Sequence, residues 1–273
     1  MTTEQFHPVL SLVDVSKAFG HVQALDEVSF DVFGGEVLAI VGDNGAGKST
    51  LAKIISGVHE RDDGEIKLDG ASVTLSSPAA AKDVGIATVY QHLALVEVMD
   101  VSSNIFLGRE PTRLRWFVDR ARMNREARQI LTALRSDIPS VRTPVSQLSG
   151  GQRQAVAIAR SLAERCRVLI LDEPTAALGV EQQTKVNELI LTLKSLGSTV
   201  ILISHNMAHV FSVADRVAVL RRGRIVGVRE LATTSKEEIV SMITGLSEGT
   251  SRPSEVAGSP DLLRWLVTGK EAR

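Results

Sequence analysis

The sequence predicts an α/β protein built on a mainly parallel sheet, with an antiparallel β region before it and a helical insertion within it. Short apolar-rich runs recur at Val37 to Val41, Ile86 to Tyr90, Val168 to Leu171, Thr199 to Ile203 and Val217 to Leu220. Strands covered on both faces of a parallel sheet read this way. Helix-like stretches separate most of these runs, and such alternation indicates an α/β core. Residues from about 92 to 165 break the pattern, with helical spacing and no convincing buried strand.

The elements follow in order. Leu10, Leu12 and Val15 lie close together, and Val28, Phe30 and Val32 alternate with polar neighbours. That period of two predicts a half-buried sheet face. Gly34-Gly35 turns the chain into the run Val37 to Val41. Asp69-Gly70, between Ile66-Lys67-Leu68 and Val73-Thr74-Leu75, predicts a hairpin. In the helical region Ala127, Ile130, Leu131 and Leu134 fall on one helical face, and Gln154 to Glu164 also reads as helix. Arg221 to Arg224 predicts the turn of a late antiparallel hairpin. Ser235-Lys236-Glu237-Glu238 is a capping box, and Gly245 can end the helix it starts. Residues 246 to 260 are rich in Ser, Gly, Pro and Glu, which predicts a flexible linker. Asp261 to Val267 has the spacing of a short amphipathic helix in a C-terminal tail.

Composition narrows the function classes. The chain has 273 residues, with 31 basic against 32 acidic side chains, so its formal charge is -1. Overall charge therefore does not drive binding to nucleic acid. Residues 109 to 137 are locally basic, read as solvated helix faces or as a docking surface for an acidic partner or headgroups. A single cysteine, Cys166, excludes an intrachain disulfide and a cysteine-rich zinc site. The longest apolar runs are far short of the roughly 20 residues of a spanning helix. The start of the chain lacks the basic and apolar regions of a secretory signal. A cytosolic protein is expected.

Gly42-Asp43-Asn44-Gly45-Ala46-Gly47-Lys48-Ser49 fits the pattern G-x-x-x-x-G-K-[ST]. It follows a predicted strand and opens a predicted helix, the context the motif requires. Small residues let backbone N–H groups converge on phosphate oxygens, and the helix start adds positive potential. Lys48 would reach the β- and γ-phosphates, and Ser49 would hold Mg²⁺. The strand Val168 to Leu171 runs into Asp172-Glu173, where an open α/β sheet places its ligand. Asp172 suits a magnesium shell and Glu173 suits a base for an attacking water. Alone, the two acids would read equally well as a helix cap. Leu148-Ser149-Gly150-Gly151-Gln152 precedes a helix and forms a second anion-binding helix start, or simply an N-cap.

In combination, these motifs resemble the nucleotide-binding subunit of an ATP-binding-cassette transporter, whose signature Leu-Ser-Gly-Gly-Gln stands here unaltered. The resemblance runs from about residue 9 to 245. It implies a P-loop NTPase (RecA-like) core with an antiparallel β subdomain and an inserted α-helical subdomain. The cassette domain would be residues 1–245, the helical part about 92–165, and 246–273 a linker and tail. It implies that Gly42 to Thr50 cradle ATP and that Phe19 stacks on the adenine; ordinary packing is the plain reading of Phe19. Gln91 resembles a glutamine that senses Mg²⁺ and the attacking water. His205 resembles a histidine that bonds the γ-phosphate. His205 and His209, at i and i+4, lack a third ligand for a metal site. Ser149, Gly150, Gly151 and Gln152 are implied to face the nucleotide of a second copy, so ATP would join two cassettes. Gly179 departs from the family, which usually has aspartate there, and puts coupling between the two sites in doubt.

Asn104 to Pro111 is similar to a stretch in the ATPases of ribose, xylose and fructose importers, and Ala176 to Gly179 is also at home there. This implies an ATPase driving monosaccharide uptake through separate transmembrane permease subunits, fed by a sugar-binding protein, from the cytoplasmic face of the membrane. Rival readings are a cassette ATPase for another cargo, a soluble one acting on nucleic acid or ribosomes, and a P-loop kinase. No tandem cassette or long coiled-coil insertion supports the soluble reading, so no nucleic-acid partner is expected. The signature Leu148 to Gln152 and His205 speak against a kinase.

Overall fold

A computed structural model describes residues 7–113, 116–163, 166–176 and 178–246. The expected linker and tail helix lie outside the described residues, apart from Leu246. The chain opens on a long antiparallel hairpin, β1 (Leu10–Phe19) and β2 (Val22–Val32), which pairs on its other side with β4 (Asp63–Leu68). The uneven spacing of Leu12 and Val15 has a local cause. The register shifts between them, and Asp14 takes a left-handed conformation, so both apolar side chains still turn inward.

The second sheet carries the core. It uses β3 (Val37–Val41), β6 (Ile86–Val89), β9 (Val168–Asp172), β10 (Thr199–Ile203), β11 (Arg216–Arg221) and β12 (Arg224–Glu230). Their spatial order is β12-β11-β3-β10-β9-β6. All neighbours are parallel except the edge pair β11–β12, the late hairpin predicted from Arg221 to Arg224. Every residue of β3 and β10 is buried, as two-face coverage requires. Since β11, β3, β10, β9 and β6 are parallel neighbours, their carboxyl ends share one edge.

Helices cover the sheet: α1 (Lys48–Ile55), α2 (Pro78–Asp83), α6 (Val180–Ser195), α7 (Met207–Val213) and α8 (Lys236–Thr244). Ser235 caps α8 through the Glu238 amide, and Gly245 ends it left-handed, as the sequence signals. The predicted helical region contains α3 (Val101–Ile105), α4 (Arg120–Ala133) and α5 (Gly150–Ala163), which pack on one another. It does not stand apart, because α5 also packs on α6 and β6 and shares one apolar cluster with the sheet. Asn104 braces this region, its side-chain amide donating to the carbonyls of Val96 and Asp100 and its carbonyl accepting from Arg160.

Three local expectations change. The strand expected at Val73 to Leu75 is β5, only Ala71–Ser72, because the chain then bends toward Ser77, which caps α2 ahead of Pro78. Leu75 is nevertheless buried. Tyr90 lies just beyond β6. The helical region also holds a small exposed hairpin, β7 (Thr112–Arg113) and β8 (Phe117–Val118), with too little apolar alternation to stand out in sequence.

Candidate nucleotide site at the carboxyl edge of the sheet

Four neighbouring strands deliver the candidate residues. β3 leads into Gly42 to Ser49, β10 into Ser204-His205, β9 into Asp172-Glu173 and β6 into Gln91. Residues far apart in sequence thus meet at one edge, where α/β sheets place ligands.

The loop after β3 is braced from outside. A side chain at Gly42 would strike the Leu220 carbonyl oxygen, and a Cβ on Gly47 would lie 2.6 Å from the Ala24 carbonyl oxygen. Both glycines also have positive φ, so shape and backbone each demand glycine there. The Gly223 amide in the β11–β12 turn donates to the Ala46 carbonyl at 2.9 Å. Asp43, Asn44 and Gly45 stay exposed at the crest, as does Ser49, while Thr50 is half-buried. Ala46 is buried.

Lys48 is the unusual member. It is only 8% exposed, yet among the described residues no carboxylate lies within ion-pair distance. Its Nζ donates instead to the backbone carbonyls of Gly42 and Asp43, at 2.6 and 2.9 Å. Burial lowers its pKa, opposed by the field of Glu173, Asp43 and Asp172. A buried cation satisfied only by neutral carbonyls is a receptor for an anion.

The two acids after β9 differ. Burial raises the Asp172 pKa, and the neighbouring Glu173 raises it further against the opposing pull of Lys53 and Lys48. A divalent cation would relieve that crowding. The donors the sequence nominates there, the Ser49 hydroxyl, the Asp172 carboxylate and the Gln91 amide oxygen, are all hard oxygens, which fit Mg²⁺. Glu173 takes a left-handed conformation, φ 50°. Its N–H donates to the Ile203 carbonyl at 2.9 Å. Its Oε1 accepts from the His205 N–H at 3.2 Å and lies 2.7 Å from His205 Nδ1. Strain held against specific partners is a mark of functional sites.

Gln91 is exposed and lines a cleft of about 570 Å³ together with Glu173, Gly150, Gln154 and Gln182. Phe19 closes β1 and is 45% exposed, with the His59 ring edge-on at 5.3 Å and Lys17 Nζ 5.6 Å above it. The same hairpin touches the loop through Ala24 and Leu25. Phe19 is thus no core residue.

Leu148 to Gln152 forms a reciprocal capping box. The Ser149 hydroxyl accepts from the Gln152 N–H at 3.3 Å, and the Gln152 Oε1 accepts from the Ser149 N–H at 3.0 Å. Gly150 is needed for contact, since a Cβ there would sit 2.6 Å from Leu178 Cδ2. Gly151 is buried, whereas Ser149 points to solvent. Gly179 meets no such constraint. Its φ is -68°, and a Cβ there would meet open space, so packing does not force the departure from aspartate.

His205 and His209 turn to different partners, which separates them as ligands. His209 is 3% exposed and its Nδ1 lies 3.1 Å from the Thr175 hydroxyl. Sequence reasoning missed Thr175, since a threonine after Asp-Glu-Pro gives no local signal. It also missed Lys53, whose field reaches Asp172 from the last turn of α1.

The fold and the loop after β3 define a P-loop nucleotide-binding protein. Residues 25–176 match the family described as ABC transporter, and the chain belongs to that family. The fructose import ATP-binding protein FrcA of Rhizobium meliloti is 45% identical, over 88% of this chain and 95% of that protein. The xylose/arabinose import ATP-binding protein XylG of Sulfolobus acidocaldarius is 45% identical, over 88% of this chain and 96% of that protein. The match to the ribose import ATP-binding protein RbsA of Chromobacterium violaceum, 46% identical, covers 89% of this chain and 48% of that protein. Among solved structures, a nucleotide-free ATP-binding cassette superposes with TM-score 0.74 at 28% identity, covering 87% of this chain and 95% of its own. A dimeric post-hydrolysis cassette, MJ0796 bound to ADP and Pi, superposes with TM-score 0.68 at 26% identity, covering 81% and 98%.

Proposed function

We propose that this chain hydrolyses ATP to drive import of a monosaccharide through separate membrane-spanning subunits. The observation that carries the hydrolytic part is the edge on which a buried, anion-ready Lys48 stands with Asp172, Glu173 and His205. The names of the import proteins above supply the sugar. Among the described residues no helix is long and apolar enough to cross a membrane. The chain then works as a peripheral subunit on the cytoplasmic face, joined to a permease that a sugar-binding protein supplies.

The amides of Gly42 to Thr50 and the Lys48 ammonium hold the β- and γ-phosphates. Phe19 offers an exposed ring to the adenine. Ser49, Asp172 and Gln91 hold Mg²⁺, which when bound neutralises charge on the phosphate oxygens. Glu173 accepts the proton of the attacking water once it releases His205, and His205 then turns to the γ-phosphate. Positioning and charge dominate such a reaction, since the protein forms no covalent bond to the phosphoryl group. Ser149, Gly150, Gly151 and Gln152 serve the nucleotide of a second copy, so two chains close around two ATP molecules. Residues 1–245 act as one hydrolytic unit. The region of about 92–165 meets the permease, and residues 246–273 are dispensable for nucleotide binding.

The test is turnover in the assembled transporter. Reconstituted with its permease in vesicles, the chain should hydrolyse ATP faster when a monosaccharide-loaded binding protein is present. Turnover indifferent to every sugar tested, yet stimulated by another class of solute, would redirect the cargo.

A further inference from the structure

The segment after β9 is pinned to the end of β10 and the segment that follows it at three points. Two are the Glu173 contacts, through its N–H to Ile203 and its carboxylate to His205. The third lies deeper, where Thr175, 4% exposed, meets His209, 3% exposed, at 3.1 Å. Glu173 and Thr175 are two residues apart; His205 and His209 are four apart, His205 just before α7 and His209 within it. The pairs therefore form two rungs between the same segments, one open to solvent and one closed.

The closed rung is chemically peculiar. The His209 Nε2 is buried and has no hydrogen-bond partner among the described residues. The ring gives up one polar group to burial while spending the other on a single hydroxyl. An apolar side chain would fill this place without the stranded ring nitrogen, but it would strand the buried Thr175 hydroxyl instead. The second face of α7 does not explain the choice, since the His209 backbone is already held by the Asn206 cap and by Ser212. What the ring alone supplies is the link to Thr175. The turn it anchors is short: the Ala176 N–H donates to the Glu173 carbonyl, and the Leu178 N–H to the Thr175 carbonyl.

We propose that Thr175 and His209 are a positioning pair for ATP hydrolysis, which keeps Glu173 in its left-handed conformation while its carboxylate exchanges His205 for water. In the open rung the carboxylate must let go for chemistry to proceed. The closed rung stays made and stops the turn from relaxing. Both side chains are buried away from the open rung, so losing the link should misplace the base without weakening ATP binding. The inference rests on the ATPase reading above.

The experiment uses the full chain, with steady-state ATP turnover, binding of a fluorescent ATP analogue and thermal melting. Thr175→Val keeps the shape and removes the hydroxyl. His209→Leu removes the unpaired ring nitrogen and strands the Thr175 hydroxyl, opposing effects that should leave its melting within about 4 °C of the wild type. Each should lower kcat roughly tenfold or more with KM and analogue binding within about twofold, the pattern of a displaced catalytic group. Thr175→Ser restores the hydroxyl and should restore kcat. The double variant Thr175→Val with His209→Leu should lose no more than the worse single one, because both break one link. If either folded variant turns over at the wild-type kcat, or the two losses multiply, the pair has no positioning role. Should Thr175→Val fail to fold, His209→Leu and Thr175→Ser decide the matter alone. A wild-type chain that binds but never hydrolyses ATP sinks the ATPase reading and this inference together; wild-type turnover with indifferent variants sinks only the inference.

Discussion

The loop Gly42 to Ser49 and the segment Leu148 to Gln152 both open helices with glycine-rich backbone, yet they are held in opposite ways. The first is clamped by the rest of its own chain. Gly42 lies under Leu220, Gly47 under Ala24, and Ala46 takes the Gly223 amide, while the Lys48 charge is buried beneath. The second is capped by itself, Ser149 and Gln152 exchanging bonds, and Ser149 faces solvent. A site built within one chain can be made rigid by that chain's fold. If the second segment serves a partner copy, as proposed, it has to leave a face open, so its order must come from local bonds that survive without the partner.

Lys48→Ala should lower ATP turnover by a factor on the order of 10² to 10³, as for loss of one preorganised donor to developing charge. It should also weaken ATP binding, because the phosphates lose their buried cation. Turnover near the wild-type rate would mean that the clamped loop is not the phosphate site.

Burial holds His209 at about 4, below its ordinary 6.5. As the folded value is depressed, the unfolded chain binds that proton first. The stability due to neutral His209 is full above about pH 6.5 and is lost as pH falls toward 4. The span corresponds to on the order of 3 kcal/mol at most. Chemical denaturation at pH 7 and pH 4.5 should show the wild type losing more stability than His209→Leu. Parallel losses would place the acid sensitivity elsewhere.

Much of the edge was legible in sequence because its motifs are local. Gly42 to Ser49 are contiguous, and Asp172-Glu173 directly ends an apolar run. The parallel strands were legible for the same reason, since burial on both faces leaves an unbroken apolar signature. Two kinds of feature were not. The bracing of the loop by Leu220, Ala24 and Gly223 joins residues about twenty to nearly two hundred positions away, and nothing local announces it. The Thr175–His209 link crosses between strand ends, and the sequence offers His209 only as a neighbour of His205 on a helix. Short exposed elements such as β7 and β8 also escape, because two-residue strands have no period to read.

On the function proposed above, a second copy completes the open face of Ser149. Glu173→Gln keeps the shape of the edge and removes the base, so ATP should bind without turning over and the closed pair should accumulate. Light scattering of Glu173→Gln should then show the mass of a dimer with ATP and of a monomer without it. Adding Ser149→Arg places a bulky cation on the open face and leaves the loop Gly42 to Ser49 untouched. That double variant should still bind ATP and remain a monomer. ATP-dependent dimerisation by a chain carrying both Glu173→Gln and Ser149→Arg would contradict the account.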